Sequence, residues 1–507
     1  MQERQTAKSI YQKLETYRRP YLDRARKAAE LTIPSLIPKE GSNGNTQFIT
    51  PHQGIGARGV NHLSAKLLLA ILPPNSPFFR LNVSDQALVA LTKQEGMRAK
   101  VEQALGSVER SIMGYIESSN IRASTGESLK HLIVAGNVLL FLPPTGGMRL
   151  YPLHSYVVRR DPIGNVLDIV TKEQVAIAAL PPEIASKIKG SGDKSPETSV
   201  DIYTHITRSK KGDQWESYQE VEGEIIRGTE NTYPLDKSPW IALRWTKVDG
   251  EHYGRGFVEE LLGDLITLDA LTQAIAEGSA ISAKVVFLVN PNGVTKAHKL
   301  AKAENGAFVE GDINDVEALQ VQKASDLRVA QDMISMVTER LSFAFMLNSA
   351  VQRTGERVTA EEIRYMASEL EDTLGGIYSI LSQEFQLPLV RRLMNQMASL
   401  RMIPDLPKQA LNPTITTGME ALGRGHDLNK LNILIQQLAP LGDALHTYLN
   451  VGDYITRVGT SLGIDMAGLV RTEEEVQQMQ QQAQMMQMAQ VAAPQAIKAM
   501  ADSQQGQ

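Results

Sequence analysis

The 507-residue chain is 42% apolar and 21% charged with a formal net charge of −5, the balance of a globular protein of roughly two to four domains, without the basic excess of a tight DNA binder. It contains no cysteine, which excludes disulfides, thiolate metal sites and a cysteine nucleophile. Aromatics are only 5%, so the cores rest on Leu, Ile, Val, Ala and Met, a bias toward helices. The charged N-terminal stretch lacks an apolar signal-peptide core. The longest apolar runs, 67–72 and 138–142, are too short to span a bilayer, so a soluble protein is expected.

Residues 3–31 place Ile10, Leu14, Tyr17, Tyr21, Ala25 and Ala28 at three- and four-residue steps, which predicts an amphipathic helix ended by Pro34 and Pro38. After a polar loop over 39–46, helices are predicted at 54–72 (stopped by Pro73-Pro74), 94–119 and 123–136, then a buried strand at 138–142. From 148 to 245, short β-branched runs alternate with turn signals, predicting antiparallel hairpins around Asp161-Pro162-Ile163-Gly164-Asn165 and around 209–213. A helix about 40 Å long is predicted at 257–283, with Phe257, Leu261, Leu265, Leu268, Leu271 and Ile275 on one face. The acids Glu259, Glu260, Asp264, Asp269 and Glu277 occupy its other positions. A compact insertion turning at Asn290-Pro291-Asn292-Gly293 leads to a second helix, 326–347, carrying Val329, Met333, Met336, Val337, Leu341 and Phe345. A polar loop precedes the longest predicted helix, capped by Thr359 and Glu362, with bends at Gly375-Gly376 and Pro388. Residues 405–470 read as shorter helices, and the Gln/Met-rich tail from Glu473 as a helix or a disordered end.

Short motifs carry little chemistry. Gly54-Ile55-Gly56-Ala57-Arg58-Gly59 fits a dinucleotide fingerprint, but no buried strand precedes it and the next acid, Asp85, lies beyond Pro73-Pro74. It reads instead as a helix start that packs closely. The chain has no P-loop, which excludes a P-loop packaging motor, and its histidines, His52 and His62 included, show no zinc-like clustering. Runs such as Glu369-Glu371-Asp372 read as a solvated face, and Gly355 between Arg353 and Arg357 as an exposed connection.

Longer blocks are more specific. NSAVQRTGERVTAEEIRYMASELEDTLGGIYSILSQEFQLPLV (348–390) resembles the most characteristic stretch of podovirus head-to-tail connector, or portal, proteins. LTIPSLIPK (31–39), GARGVNHLSAKLLLAILPP (56–74), AGNVLLFLP (135–143), SYVVRRDPIGNV (155–166) and DGEHYGRGFVEE (249–260) resemble the same family, in family order. The resemblance fades in the tail after Glu473.

The resemblance implies an α+β, predominantly helical portal fold. Its parts would be an N-terminal wing (1–256), stem helices (257–283 and 326–347) with a clip between them (284–325), a tunnel loop (348–358), a long wing helix (359–404), a crown (405–472) and a C-terminal barrel or disordered tail (473–507). It implies a ring, usually of twelve subunits, at one capsid vertex, through which double-stranded DNA is packaged and ejected, with no catalysis and no cofactor or metal. The partners implied are other copies of the chain, DNA, the terminase large subunit, major capsid and scaffolding proteins, a tail adaptor and internal core proteins, but no membrane. The location implied is the virion, after assembly in the host cytoplasm. The expected channel-wall acids are Glu259, Glu260, Asp264, Asp269 and Glu277; the expected DNA-contacting loop residues are Arg353, Arg357, Gln352, Thr354 and Gly355; the expected docking residues of the clip are Lys296, Lys299, Lys302, Asn290 and Asn292. Another virion ring protein, such as a tail adaptor, and a metal-dependent nuclease are the competing readings.

Overall fold

The computed structural model describes residues 5–74, 77–83, 97–190, 195, 197–209, 211–282, 286–319, 324–347, 369–370, 373–403, 411–415, 436–437 and 455. The chain is a mixed helix-and-strand protein that divides into two compact units, Met1–Pro73 with Tyr115–Met402, and Pro74–Gly114 with Ile403–Gln507. The described helices are α1 (Ala7–Glu30), α2 (Ile55–Ile71), α3 (Met97–Ser118), α4 (Ile121–Ala135), α5 (Pro182–Gly190), α6 (Phe257–Glu260), α7 (Leu262–Ser282), α8 (Ala297–Ala301), α9 (Ala324–Ala344), α10 (Gly376–Leu381) and α11 (Leu387–Ser399). The strands are β1 (Phe79–Val83), β2 (Asn137–Phe141), β3 (Arg149–Pro152), β4 (Tyr156–Arg160), β5 (Val166–Ala176), β6 (Ser199–Arg208), β7 (Gln214–Val221), β8 (Glu224–Ile225), β9 (Asn231–Pro234), β10 (Trp240–Arg244), β11 (Val286–Val289), β12 (Val316–Leu319) and β13 (Leu411–Ile415).

The larger unit is built on an antiparallel sheet of order β4-β5-β6-β7-β8, with β9 also paired to β7. Both expected hairpins are present, as β4–β5 and β6–β7. Helix α1 lies on this sheet, joining Ala7, Tyr11 and Leu14 to Val157, Val170, Tyr203 and Tyr218 in one apolar cluster. The buried face of α1 runs Tyr11, Leu14, Arg18, Leu22, Ala25, Ala29, while Tyr17 of the expected stripe is 54% exposed. The stripe is shifted because Arg18 enters the interior: its Nη1 donates to the Tyr11 hydroxyl at 2.7 Å and to the carbonyls of His154 and Tyr156 at 2.8 and 3.0 Å. A buried charge is tolerated only when so bonded. The carboxylate of buried Glu220 on β7 accepts the Ala7 N–H at 2.7 Å, where the first helical amides have no intrahelical partner.

A second sheet, of order β10-β2-β3, forms beside α4. The helix-to-strand switch falls on Gly136, whose φ of +70° is left-handed and whose absent side chain leaves room for the Arg255 backbone. Gly56 and Gly59 of the apparent dinucleotide fingerprint have the packing role expected of them, whereas Gly54 has open space around it. A Cβ on Gly56 would meet the Leu31 carbonyl, and one on Gly59 the Phe345 ring, each at 2.4 Å.

Two expectations are corrected. The helix expected at 257–283 is broken at Leu261, into α6 and α7. A Cβ on Gly256 would lie 2.5 Å from the Val134 carbonyl, so α6 is set by its packing on α4 rather than by continuity with α7. Within 405–470, residues 411–415 form a strand, not a helix: β13 pairs antiparallel with β1 in the smaller unit, Phe79 opposite Ile415. Pro413 cannot donate inside a helix but is accommodated in an edge strand. Most of the long helix expected from 359 lies outside the described residues. Where it is described, Gly375 takes a φ of +55° and a π-helical turn at Ser382–Gln386 precedes Pro388, so both expected bends coincide with departures from α geometry.

Candidate functional site: an exposed helical hairpin

Helices α7 and α9 pack side by side, joined by a small lobe that the β11–β12 pair closes. At the base of the hairpin, Arg340 Nη2 donates to Asp264 Oδ1 at 2.6 Å. At its far end Val286 pairs with Leu319.

In the lobe, the Asp315 carboxylate accepts the Thr295 N–H at 3.0 Å, and this bond holds its carboxyl below the usual range. Gly293 is obligatory there, since a Cβ would fall 2.1 Å from Asp315 Oδ1. The Asn290 N–H donates to the Asp315 carbonyl at 2.8 Å, and the Asn290 side chain accepts from the Asn292 N–H at 3.1 Å, so these asparagines shape the turn. Lys296, Lys299 and Lys302 lie on α8 and its two caps, and all three are exposed.

The expected channel acids divide by role. Glu259 pairs with Arg24 at 3.0 Å, Asp264 with Arg340, and Asp269 Oδ1 accepts the N–H groups of His52 and Gln53 at 2.7 and 3.2 Å. These three hold the fold. Glu260 and Glu277 are both exposed; among the described residues Glu260 makes no ion pair, and Glu277 accepts from Gln273 Nε2 at 2.9 Å and makes no ion pair. The loop residues Gln352, Arg353, Thr354, Gly355 and Arg357 lie outside the described residues.

The hairpin buries little of its apolar surface. Leu265 and Leu268 of α7 and Val337 and Leu341 of α9 are covered, but Ile266, Val329, Met336 and Phe343 are exposed. Met336, Glu339, Arg340 and Phe343 line an open groove of about 430 Å³. Exposed apolar side chains gathered in a groove mark a candidate interaction surface. Sequence periodicity suggested helices here but missed Phe343, which falls outside the expected stripe. Among the described residues, no group of three or more His, Cys, Asp or Glu could hold a metal ion, and no helix is long and apolar enough to cross a membrane.

The exposed hairpin with its closed lobe is the most prominent candidate interaction feature among the described residues. The chain belongs to the family of bacteriophage head to tail connecting proteins, which it matches over residues 4–470. Within that family it is similar to podovirus portal proteins. It is 49% identical to the portal protein of Escherichia phage T7 over 93% of this chain and 89% of that one, and 32% identical to that of Enterobacteria phage SP6 over 92% and 90%. Among solved structures, the neck of an empty GTA particle aligns with 75% of this chain and 86% of the other at 10% identity and a TM-score of 0.35, too distant to argue architecture. The protein is thus a portal-type head-tail connector, a structural component of the virion and not an enzyme.

Proposed function

We propose that the chain assembles into a closed ring, of about twelve copies by family resemblance, that conducts double-stranded DNA at one capsid vertex and docks first a terminase and then a tail. The 49% identity to a portal protein over 93% of the chain is the observation that carries this reading. The α7–α9 hairpin takes the place of the stem and 284–325 that of the clip. Residues 1–256, with the long helix of 359–404, form the wing, and 405–472 the crown. A ring built by rotation uses two different faces of each subunit, and the exposed apolar residues of the hairpin are suited to such contacts.

With Glu259, Asp264 and Asp269 engaged within the chain, Glu260 and Glu277 are the acids left to face a channel. Acids there keep phosphates mobile where a basic wall would hold them. Arg353 and Arg357 then supply the few weak phosphate contacts that align DNA and resist backflow. Lys296, Lys299 and Lys302, presented on one short helix of the lobe, meet the motor or the adaptor.

Native mass spectrometry with electron-microscope class averages tests the ring. A closed ring with a hole wide enough for duplex DNA is the expected result; a monomer or dimer that persists at high concentration would overturn it. Arg353→Glu and Arg357→Glu are expected to leave rings intact and lower genome packaging or retention. Normal retention in both variants would remove the proposed loop contacts.

A further inference from the structure

Residues 41–53 cross the surface between α1 and α2 as a strap fixed at both ends. At its start Lys39 pairs with Glu30 at 3.1 Å and Glu40 with Arg26 at 3.6 Å. At its end the His52 and Gln53 amides bond to Asp269 of α7, and Gln53 Nε2 donates to the Leu31 carbonyl at 2.7 Å. Between these anchors, from Gln47 to Pro51, the strap makes no hydrogen bond among the described residues. It nonetheless carries two apolar side chains into solvent, Phe48 and Ile49, the latter 90% exposed. A segment fixed at both ends with an apolar tip held in water is built to be covered, since burying such side chains removes apolar surface from water.

The hairpin indicates what covers it. The Asp264–Arg340 contact brings those two residues to about the same height, so five residues further along α7, Asp269 comes within roughly a helical turn of Met336. The strap anchor and the Met336–Phe343 groove therefore stand at similar heights along the hairpin. They lie on different sides of it. Asp264 faces α9, and five residues turn a helix by about 140° beyond a full turn, which puts Asp269 and the strap on the side of α7 away from α9. Rotation about a ring axis preserves height and brings the α7 side of one subunit against the α9 side of the next. Ile49, within about 10 Å of its anchor even when fully extended, then reaches the level of the neighbour's groove.

We propose that the strap is an intersubunit clasp: Phe48 and Ile49 of one copy seat in the groove formed by Met336, Glu339, Arg340 and Phe343 of the adjacent copy. This inference rests on the ring reading and assigns that ring an added contact beyond helix-to-helix packing of the hairpins.

The absence of cysteine gives a clean test. In the double variant Ile49→Cys/Phe343→Cys, a disulfide forms only if the two Cβ atoms come within about 3.5–4.5 Å. Oxidised rings are expected to give a ladder of covalent oligomers on a non-reducing denaturing gel, lost on reduction and absent from either single variant. Rings of the double variant that yield only monomer bands, with or without an internal disulfide, would overturn the clasp and leave the ring standing. Failure of the unsubstituted protein to form rings would overturn both. Should the double variant not assemble, Ile49→Asp decides. Its side chain is solvent-exposed in the subunit, so thermal unfolding of the unassembled chain should not change, while the concentration at half-assembly should rise at least 10-fold and Ile49→Leu should restore it. Unchanged assembly of Ile49→Asp would reject the clasp.

Discussion

Buried polar residues set much of the local structure. Asp168 on β5 lies 3.6 Å from His205 Nε2, accepts the Thr207 hydroxyl and pairs with Arg159. Burial alone would raise its carboxyl, but these partners outweigh burial and hold it at about 2. His131 on α4 shows the opposite balance for a base: burial pushes its imidazole down to about 4, from about 6.5 when unfolded. Between those values the unfolded chain binds the extra proton, so the contribution of His131 is complete above pH 6.5 and is lost as pH falls toward 4. At pH 5 the loss is on the order of 2 kcal/mol. Urea denaturation at pH 7 and pH 5 should show a smaller drop in stability for His131→Gln than for the unsubstituted protein; equal drops would refute this assignment. Neither residue could be singled out in the sequence, because nothing local to either identifies the burial and the partners that fix its protonation.

At the scale of elements, the helical segment 376–399 is held at its irregular turn. Glu384, inside the π-helical segment, accepts from Arg244 Nη2 of β10 at 2.7 Å, and Gln386 Nε2 donates to the Ile71 carbonyl at the end of α2 at 2.7 Å. A π turn shifts the following residues around the helix, and here it places a carboxylate and an amide against two different elements. Arg244 is buried, and Arg160 nearby is lowered to about 10, by burial first and then by the Arg244 charge. Glu384→Ala strands the Arg244 guanidinium and should destabilise the protein by about 3 kcal/mol, read as a lower denaturation midpoint by circular dichroism. A loss below about 0.5 kcal/mol would mean that water replaces the carboxylate at little cost. In the sequence, Gly375 and Pro388 marked the irregularity, but the partners that make use of it lie 140 and 315 residues away.

The molecule as a whole is mildly acidic, and about twelve copies at −5 would give a ring near −60. Such a ring should not retain duplex DNA at about 0.15 M salt. Glu260→Lys combined with Glu277→Lys should leave the fold unchanged, since neither residue forms an ion pair within the described chain, yet make rings bind DNA in a salt-sensitive way. Gel-shift measurement across a salt series checks this; unaltered DNA binding would place these acids off the channel. Periodicity, prolines and glycines along the chain were sufficient for α1, α2, α3, α4 and α9 and for the two hairpins, because these follow from local steric and burial rules. The long blocks resembling portal proteins carried the family. Tertiary structure alone decided that Arg18 goes inside, that Glu259, Asp264 and Asp269 serve the fold, that 411–415 pairs as a strand and that Ile49 and Phe343 stay uncovered. The first three depend on a partner far away in the chain and the last on which surfaces the folded chain leaves bare, and no local pattern encodes either.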